Sequence, residues 1–344
     1  MKSSSPPQMQ PSVSDASALV QMYQEGVRNF QFQSLRNFEL TGADLIGVDF
    51  SHANLCGTNF SLTYLNRGIF RDCHLIGAQF DGATLNQANL SQANLRDSSL
   101  HGASLQHAIL FGADLGLADL TDANLIEADL RAANLCNANL QGACLRGANF
   151  REESLVNGTM LQGAILDNAD LRGANLKGAN LERASLKKVN LAHANLRGVS
   201  LKGANLEGAN LQESVLSDVE ASHANFCRAN LQDAKLERIT LDRADLSQSN
   251  LSNANLTDAK LSYANFKEAN LSKAKLSRAD LSHACLQLAN LAGSALIRAY
   301  LARADLSRVN LSDANLFGAE VSSATMVRIT FSNTTLPDGS VSSP

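Results

Sequence analysis

Tryptophan is absent from this chain of 344 residues, and only four Tyr and five Pro occur. Aromatic residues make up 5% of it. Large rings dominate ordinary globular cores, so the core expected here is thin and aliphatic. Charged residues reach only 18%, below the roughly 25% of an average domain. The net charge of -4 lacks the basic excess of a general nucleic-acid binder. No run of about 18 apolar residues exists, which excludes a transmembrane helix and a membrane partner of that kind. The segment MKSSSPPQMQPSVSDAS has no apolar stretch of signal-peptide type. The six cysteines (Cys56, Cys73, Cys136, Cys144, Cys227, Cys285) show no CxxC and no framework spacing. Reduced thiols and a cytoplasmic location are the expectation.

Chemistry-bearing patterns are missing too. No G-x-G-x-x-G or Walker A stands between a strand and a helix. The seven His are scattered; His223 and His283 fall 60 residues apart. No catalytic, cofactor or metal residue is expected. An enzyme or metal protein is the least favoured class.

What is present is a repeat, the first thing to seek in a long chain. From Phe30 a Leu or Phe recurs every five residues: Phe30, Leu35, Leu40, Leu45, Phe50, and on to Phe150 and Leu155. A small residue precedes it by two, as at Ala43, Ala53, Ala78, Ala83 and Ala88, with Asn or Asp often between. After Leu155 the phase moves by one. From Leu166 the centre falls at Leu171, Leu176 and onward to Leu336, with Ala221, Val321, Met326 and Phe331 as variants. A period of five carries Leu round every face of a helix and leaves no apolar stripe. On an extended strand, residues two apart share a face. Each A-(N/D)-L-x-x pentad therefore reads as a very short strand and a turn, and stacked coils close the core. Length alone suggests two domains; the repeat makes one elongated domain instead.

The motif resembles the pentapeptide-repeat family over residues about 30–336, and the segment YQEGVRNFQFQSLRNFELTGADL looks cyanobacterial in type. The resemblance implies an all-β solenoid, a right-handed quadrilateral β-helix with four pentads per coil. About 62 pentads would make about 15 coils, a rod of about 70–75 Å at the ~4.8 Å strand spacing. Residues 20 apart would then stack. Phe50 and Phe70 fall on one side, Phe60 and Phe80 opposite, and aromatic rings fill the axis. Outside, Asp167, Lys187 and Glu207 align, as do Glu182 with Lys202 and Lys177 with Arg197.

The chain divides into a disordered tail at 1–14, a capping helix at 15–29, a first tract at 30–160, a second at 161–336, and a tail at 337–344. Ser14 or Asp15 would cap the helix, whose stripe is Leu19, Tyr23 and Val27. It would cover the open solenoid end. At the other end Met326, Val327, Ile329 and Phe331 are bulky. There, self-closure and a homodimer through a second copy both stay open. The irregular segment 151–161 places Glu153 where an inward Ala is expected. An unpaired buried carboxylate is costly, so a bulge or short loop is expected. Arg151, Glu152, Glu153, Asn157 and Gly158 are the candidate loop or kink residues.

Charge is uneven. Residues 1–160 carry 9 Lys/Arg and 15 Asp/Glu; residues 161–344 carry 20 and 18. Between 171 and 203, Arg172, Lys177, Arg183, Lys187, Lys188, Arg197 and Lys202 face Glu182 alone. This basic belt is the candidate docking site for an acidic protein partner. The expected function is a non-enzymatic protein–protein interaction scaffold or regulatory binding protein, with no direct nucleic-acid binding. The alternative implied by the resemblance is a DNA mimic that binds DNA gyrase. The acidic residues Asp44, Asp49, Asp114, Asp119, Glu127 and Asp129 speak for that alternative, and the basic belt speaks against it.

Overall fold

A computed structural model describes residues 13–152 and 158–343. Each pentad contributes one residue, its Asn/Asp position, to a parallel bridge with the equivalent residue one coil on. Asn29–Asp49, Ser34–Asn54, Glu39–Asn59 and Asp44–Tyr64 open the four sides, and the pairing steps by 20 along each. We number the sides by their inward centres: the first starts at Phe30, the second at Leu35, the third at Leu40, the fourth at Leu45. Each inner coil is hydrogen-bonded to both neighbours. Leu35 N–H donates forward to the Asn54 carbonyl (2.8 Å), and Asn54 N–H donates back to that of Gln33 (2.9 Å). This satisfies backbone groups that the buried rod would otherwise strand.

The corners explain why five residues suffice. After each centre come two turn residues, and the second takes a left-handed φ, for example 61° at His52 and 57° at Arg183. Positive φ at the third position is what a type II turn demands. The turn closes on itself, Ala53 N–H donating to Phe50 O at 2.8 Å, while His52 N–H donates to Arg71 O of the next coil at 2.8 Å. A left-handed non-glycine residue costs about 1–2 kcal/mol. The inter-coil bond made from that conformation offsets it.

Leu, Phe and Ala fill the interior with almost no exposure. Phe30, Phe50 and Phe70 line the first side; Phe60 and Phe80 face them from the third. Phe60 and Phe80 stack at 5.0 Å between centroids, and Phe60 meets Phe70 edge-on at 6.1 Å. Gly68 makes room for this cluster. A Cβ there would lie 2.8 Å from the Phe70 ring and 2.9 Å from the Leu65 carbonyl. Where Thr replaces the small residue, its hydroxyl reaches a carbonyl, as Thr58 does to Leu35 O at 2.7 Å.

The break adds six residues to the coil, where the sequence phase shows a gain of one. Asn134 pairs with Met160 and Asn149 with Asn175, steps of 26. Six is one more than a whole pentad, so phase alone reports the remainder. The next inward centre is Leu161, fully buried, so the second tract's centres begin there and not at Leu166. Leu155, Glu153 and Asn157 lie outside the described residues.

Both ends depart from the sequence reading. The helix α1 (Ala16–Gln24) is shorter than 15–29 because Gly26, at φ 101°, turns the chain toward the first bridge at Asn29. Asp15 caps it, its carboxylate accepting from Ala18 N–H at 2.9 Å. Leu19 and Tyr23 are buried beneath it, and Val13, assigned to the tail, packs into the core as well. Tyr23 OH donates to the Ile46 carbonyl at 2.8 Å. At the other end residues 337–342 fold back through an antiparallel Thr335–Val341 bridge, so this stretch is not a free tail. The last coil stays open, with Met326 and Phe331 39% and 38% exposed.

Thr159 rejoins the chain to the ladder. It is fully buried, and its hydroxyl lies 2.9 Å from both the Leu130 and Phe150 carbonyls. Thr159→Val should destabilise the protein by about 1–3 kcal/mol by removing the buried hydroxyl donor that those carbonyls share, read as a lower denaturant midpoint at unchanged m.

Candidate interaction surface

Three positions per pentad face outward: the ladder residue and the two turn residues. The ladder residue has a structural duty. Its side-chain oxygen accepts from the N–H two residues on, as Asn89 does from Ser91 (3.0 Å) and Asp119 from Thr121 (3.0 Å). These are Asx turns, which is why Asn and Asp dominate there.

The basic belt wraps the rod. Arg172 lies on the fourth side, Lys177 and Arg197 on the first, Arg183 and Lys202 on the second, and Lys187 and Lys188 on the third. All seven are exposed. Two are already paired: Arg172 with Asp170 at 2.6 Å and Arg197 with Asp218 at 3.2 Å. Arg183 sits at the corner leading to the third side, so it gathers with Lys187 and Lys188. Asp167 and Glu207 flank Lys187 one coil to either side. The acidic residues of the first tract scatter likewise. Asp49 and Asp129 are on the first side, Asp114 on the second, Asp119 on the third, and Asp44 and Glu127 on the fourth. Several serve structure: Asp49 accepts from Ser51, Asp114 from Gly116, Asp129 from Arg131. At the break, Arg151 N–H bonds the Asn149 side chain, and Glu152 N–H still reaches Lys177 O at 2.8 Å. Gly158 passes close to the next coil. A Cβ there would lie 2.7 Å from the Gly178 carbonyl.

Columns of residues 20 apart carry two features. Along one corner, Asp218, Arg238, Asp258 and Arg278 alternate in sign. Arg238 and Arg278 each clasp the Asp one coil earlier at 2.7 Å. The Arg238 hydrogen bond, joined by Arg197, holds the Asp218 carboxyl below its usual range, and Arg278 does so for Asp258. The second feature is the fourth side of the second tract. Its ladder residues from Asn190 to Asn310 are all Asn, one every 20 residues. Each amide donates to the preceding oxygen, Asn210 to Asn190 at 3.2 Å and so on to Asn310 and Asn290 at 3.2 Å. The first turn residues beside them, Ala192 through Ser312, are Ala, Gln or Ser. Over the same coils the other three sides carry Lys, Arg, Asp or Glu at these positions, such as Lys235, Lys260 and Asp245.

Surface grooves are open. One of about 460 Å³ lies along the second side between Asp258, Lys260, Asp280 and Tyr300. Another of about 560 Å³ sits at the corner of Cys136, Gln162 and Arg183. Among the described residues, no group of three or more His, Cys, Asp or Glu could hold a metal ion. Nor, among the described residues, is any helix long and apolar enough to cross a membrane. Histidines pair with acids along corners, as His107 does with Glu127 at 3.3 Å. The buried Cys73 thiol lies 2.8 Å from the Phe50 carbonyl, and burial pushes its pKa up to about 12. Thiolate is the reactive form. At pH 8 iodoacetamide should therefore leave Cys73 unmodified in the folded protein and alkylate it after denaturation, as read by peptide mass spectrometry.

Among solved structures, the chain is similar to HetL, a pentapeptide repeat protein involved in heterocyst differentiation regulation in the cyanobacterium Nostoc sp. They share 29% identity over 95% of this chain and 99% of that one, at a TM-score of 0.16. Rfr23 of the cyanobacterium Cyanothece is 29% identical over 34% of this chain and 89% of its own, at 0.27. QnrB1, a plasmid-mediated fluoroquinolone resistance protein, is 15% identical over 66% and 92%, at 0.35. No curated protein sequence matches significantly. The family model for pentapeptide repeats matches in eight copies, over residues 29–61, 73–112, 113–151, 164–203 and, in overlapping segments, 204–333. With that match over most of its length, and a backbone that closes every 20 residues, the chain belongs to the pentapeptide-repeat family, whose fold is the right-handed quadrilateral β-helix.

Proposed function

We propose that this protein is a non-enzymatic scaffold that binds other proteins along the outer faces of a rigid rod. The observation that carries this reading is the division of labour within the pentad. Three inward and ladder positions are committed to the fold, and the turn residues are left free to vary. Pentapeptide-repeat proteins are in general structural or binding proteins, and solenoids use long lateral surfaces for contact. The grooves are too open to enclose a small ligand as binding pockets do. We place the protein in the cytoplasm, in keeping with its six unpaired cysteines.

The docking epitope we favour is the group at the corner between the second and third sides, Arg183, Lys187 and Lys188, for an acidic protein surface. It is the part of the belt where three exposed cations fall within six residues of one coil. The open last coil, with Met326, Val327 and Phe331 exposed, favours in addition an end-on contact with a second copy. Mimicry of DNA toward gyrase is the weaker alternative. Its acidic residues are spread over all four sides, and several are engaged in turn caps.

Affinity capture from source cells, comparing the wild type with Lys187→Glu/Lys188→Glu, tests the epitope. Loss of an acidic partner with the double variant is expected; an unchanged set of partners contradicts it. Gyrase supercoiling should be unaffected by a stoichiometric amount of the protein, and inhibition or protection there would favour the mimic.

A further inference from the structure

The uncharged fourth side of the second tract stands apart from its three neighbours. The Asn column has a structural reason, since each amide from Asn210 on donates one N–H to the preceding Asn oxygen and each oxygen caps a turn. The first turn column has none. On the other sides that position carries Arg197, Lys202 or Glu207 without harm to the fold. Between Ala192 and Ser312 the fourth side carries no charge in either column. A flat, uncharged face with part of its hydrogen bonding already paired internally loses less on desolvation than a charged one. It also places no like charges together when it meets itself.

We propose that this face is a self-docking surface. Two copies pack it side by side and antiparallel, about a two-fold axis at the level of Asn250. An isologous contact of this kind sets each residue against the one equally far on the other side of the axis. Asn230 then faces Asn270 of the second copy, and Ser252 faces Ser252. Both edges of the face become complementary in the same register. On one edge Arg228 meets Glu268 of the second copy. On the other, Asp233 meets Lys273 and His193 meets Asp313, and each pair occurs twice. The exposed Leu288 lies over Gly208 of the second copy. The one like-charge encounter is Lys188 with Arg308, at the far end of the face. Arg228 already pairs within the chain with Glu207 at 3.3 Å, and His193 with Glu213 at 3.5 Å. The Asp233–Lys273 pairs therefore carry most of the register.

The area sets the strength. Asn190 to Asn310 spans six coil steps, about 29 Å at ~4.8 Å each, and a five-residue side is at most about 16 Å wide. Each copy would bury on the order of 500 Å², about 1,000 Å² in total, the lower limit for a specific interface. The dimer is therefore weak and reversible, and its edges are sensitive to salt. It is a lateral contact and distinct from an end-on one.

Sedimentation velocity at low salt, from about 1 to about 200 µM protein, is the test. The wild type should show a concentration-dependent dimer. Ser252→Glu places two carboxylates against each other on the axis and should weaken association at least tenfold. Ser277→Glu, at the equivalent turn position on the first side, should not. Asp233→Lys should weaken association to a similar degree, and Asp233→Lys/Lys273→Asp should restore it, because the exchange recreates both pairs. A wild type that stays monomeric throughout the range overturns the proposal. So does an association that Ser252→Glu leaves unchanged, or one that the double exchange fails to restore.

Discussion

Closure of the backbone between coils is the constraint on which everything else depends. A rod one Leu wide has no interior volume in which to hide unpaired peptide groups, so each coil must bond fully to its neighbours. That fixes the side at five residues and the coil at 20. It also forces the second turn residue into a left-handed conformation so that its N–H points along the axis. Glycine fills that position without strain, as at Gly42 and Gly77, yet Arg, His, Asp and Glu occupy it across many coils. The inter-coil hydrogen bond outweighs the strain, and the corners thereby become places where charge can be displayed.

The same constraint separates fold from surface. Centres and small residues are locked inside; the ladder Asn or Asp is locked by the turn it caps. Negative charge at the ladder position is thus often structural, as Asp119 and Asp129 show. Charge at the turn positions is free, and it is organised by coil: acid and base alternate along the corner from Asp218 to Arg278. Such exposed pairs contribute little to stability. Their value lies in the pattern they present. This division is what supports the proposed scaffold function, because a partner would read sides and corners that the core does not dictate.

The interior was legible in the sequence because it repeats. Leu at every fifth position and Ala two before it identified the inward set, and Phe50, Phe60, Phe70 and Phe80 took the opposed places the 20-residue stack requires. The surface was less legible. Arg172 to Lys202 are neighbours in sequence yet fall on all four sides, since a run of 30 residues winds one and a half times round the rod. The break was half visible: a phase shift of one could not distinguish one inserted residue from six. Val13 and the fold-back at 337–342 leave no mark in the pattern because they follow no repeat. The uncharged fourth side emerges only when every twentieth residue is read together.

If inter-coil closure is what holds the rod, the six residues from 153 to 158 are dispensable, and their removal restores an uninterrupted 20-residue period by joining Glu152 to Thr159. The direct measurement is thermal unfolding of that deletion variant beside the wild type. Closure through the ladder predicts one cooperative transition with a midpoint equal to or above that of the wild type, since a shorter connection also costs less entropy. A second, lower transition, or a chain that fails to fold, would show that the inserted residues and not the period hold the two tracts together.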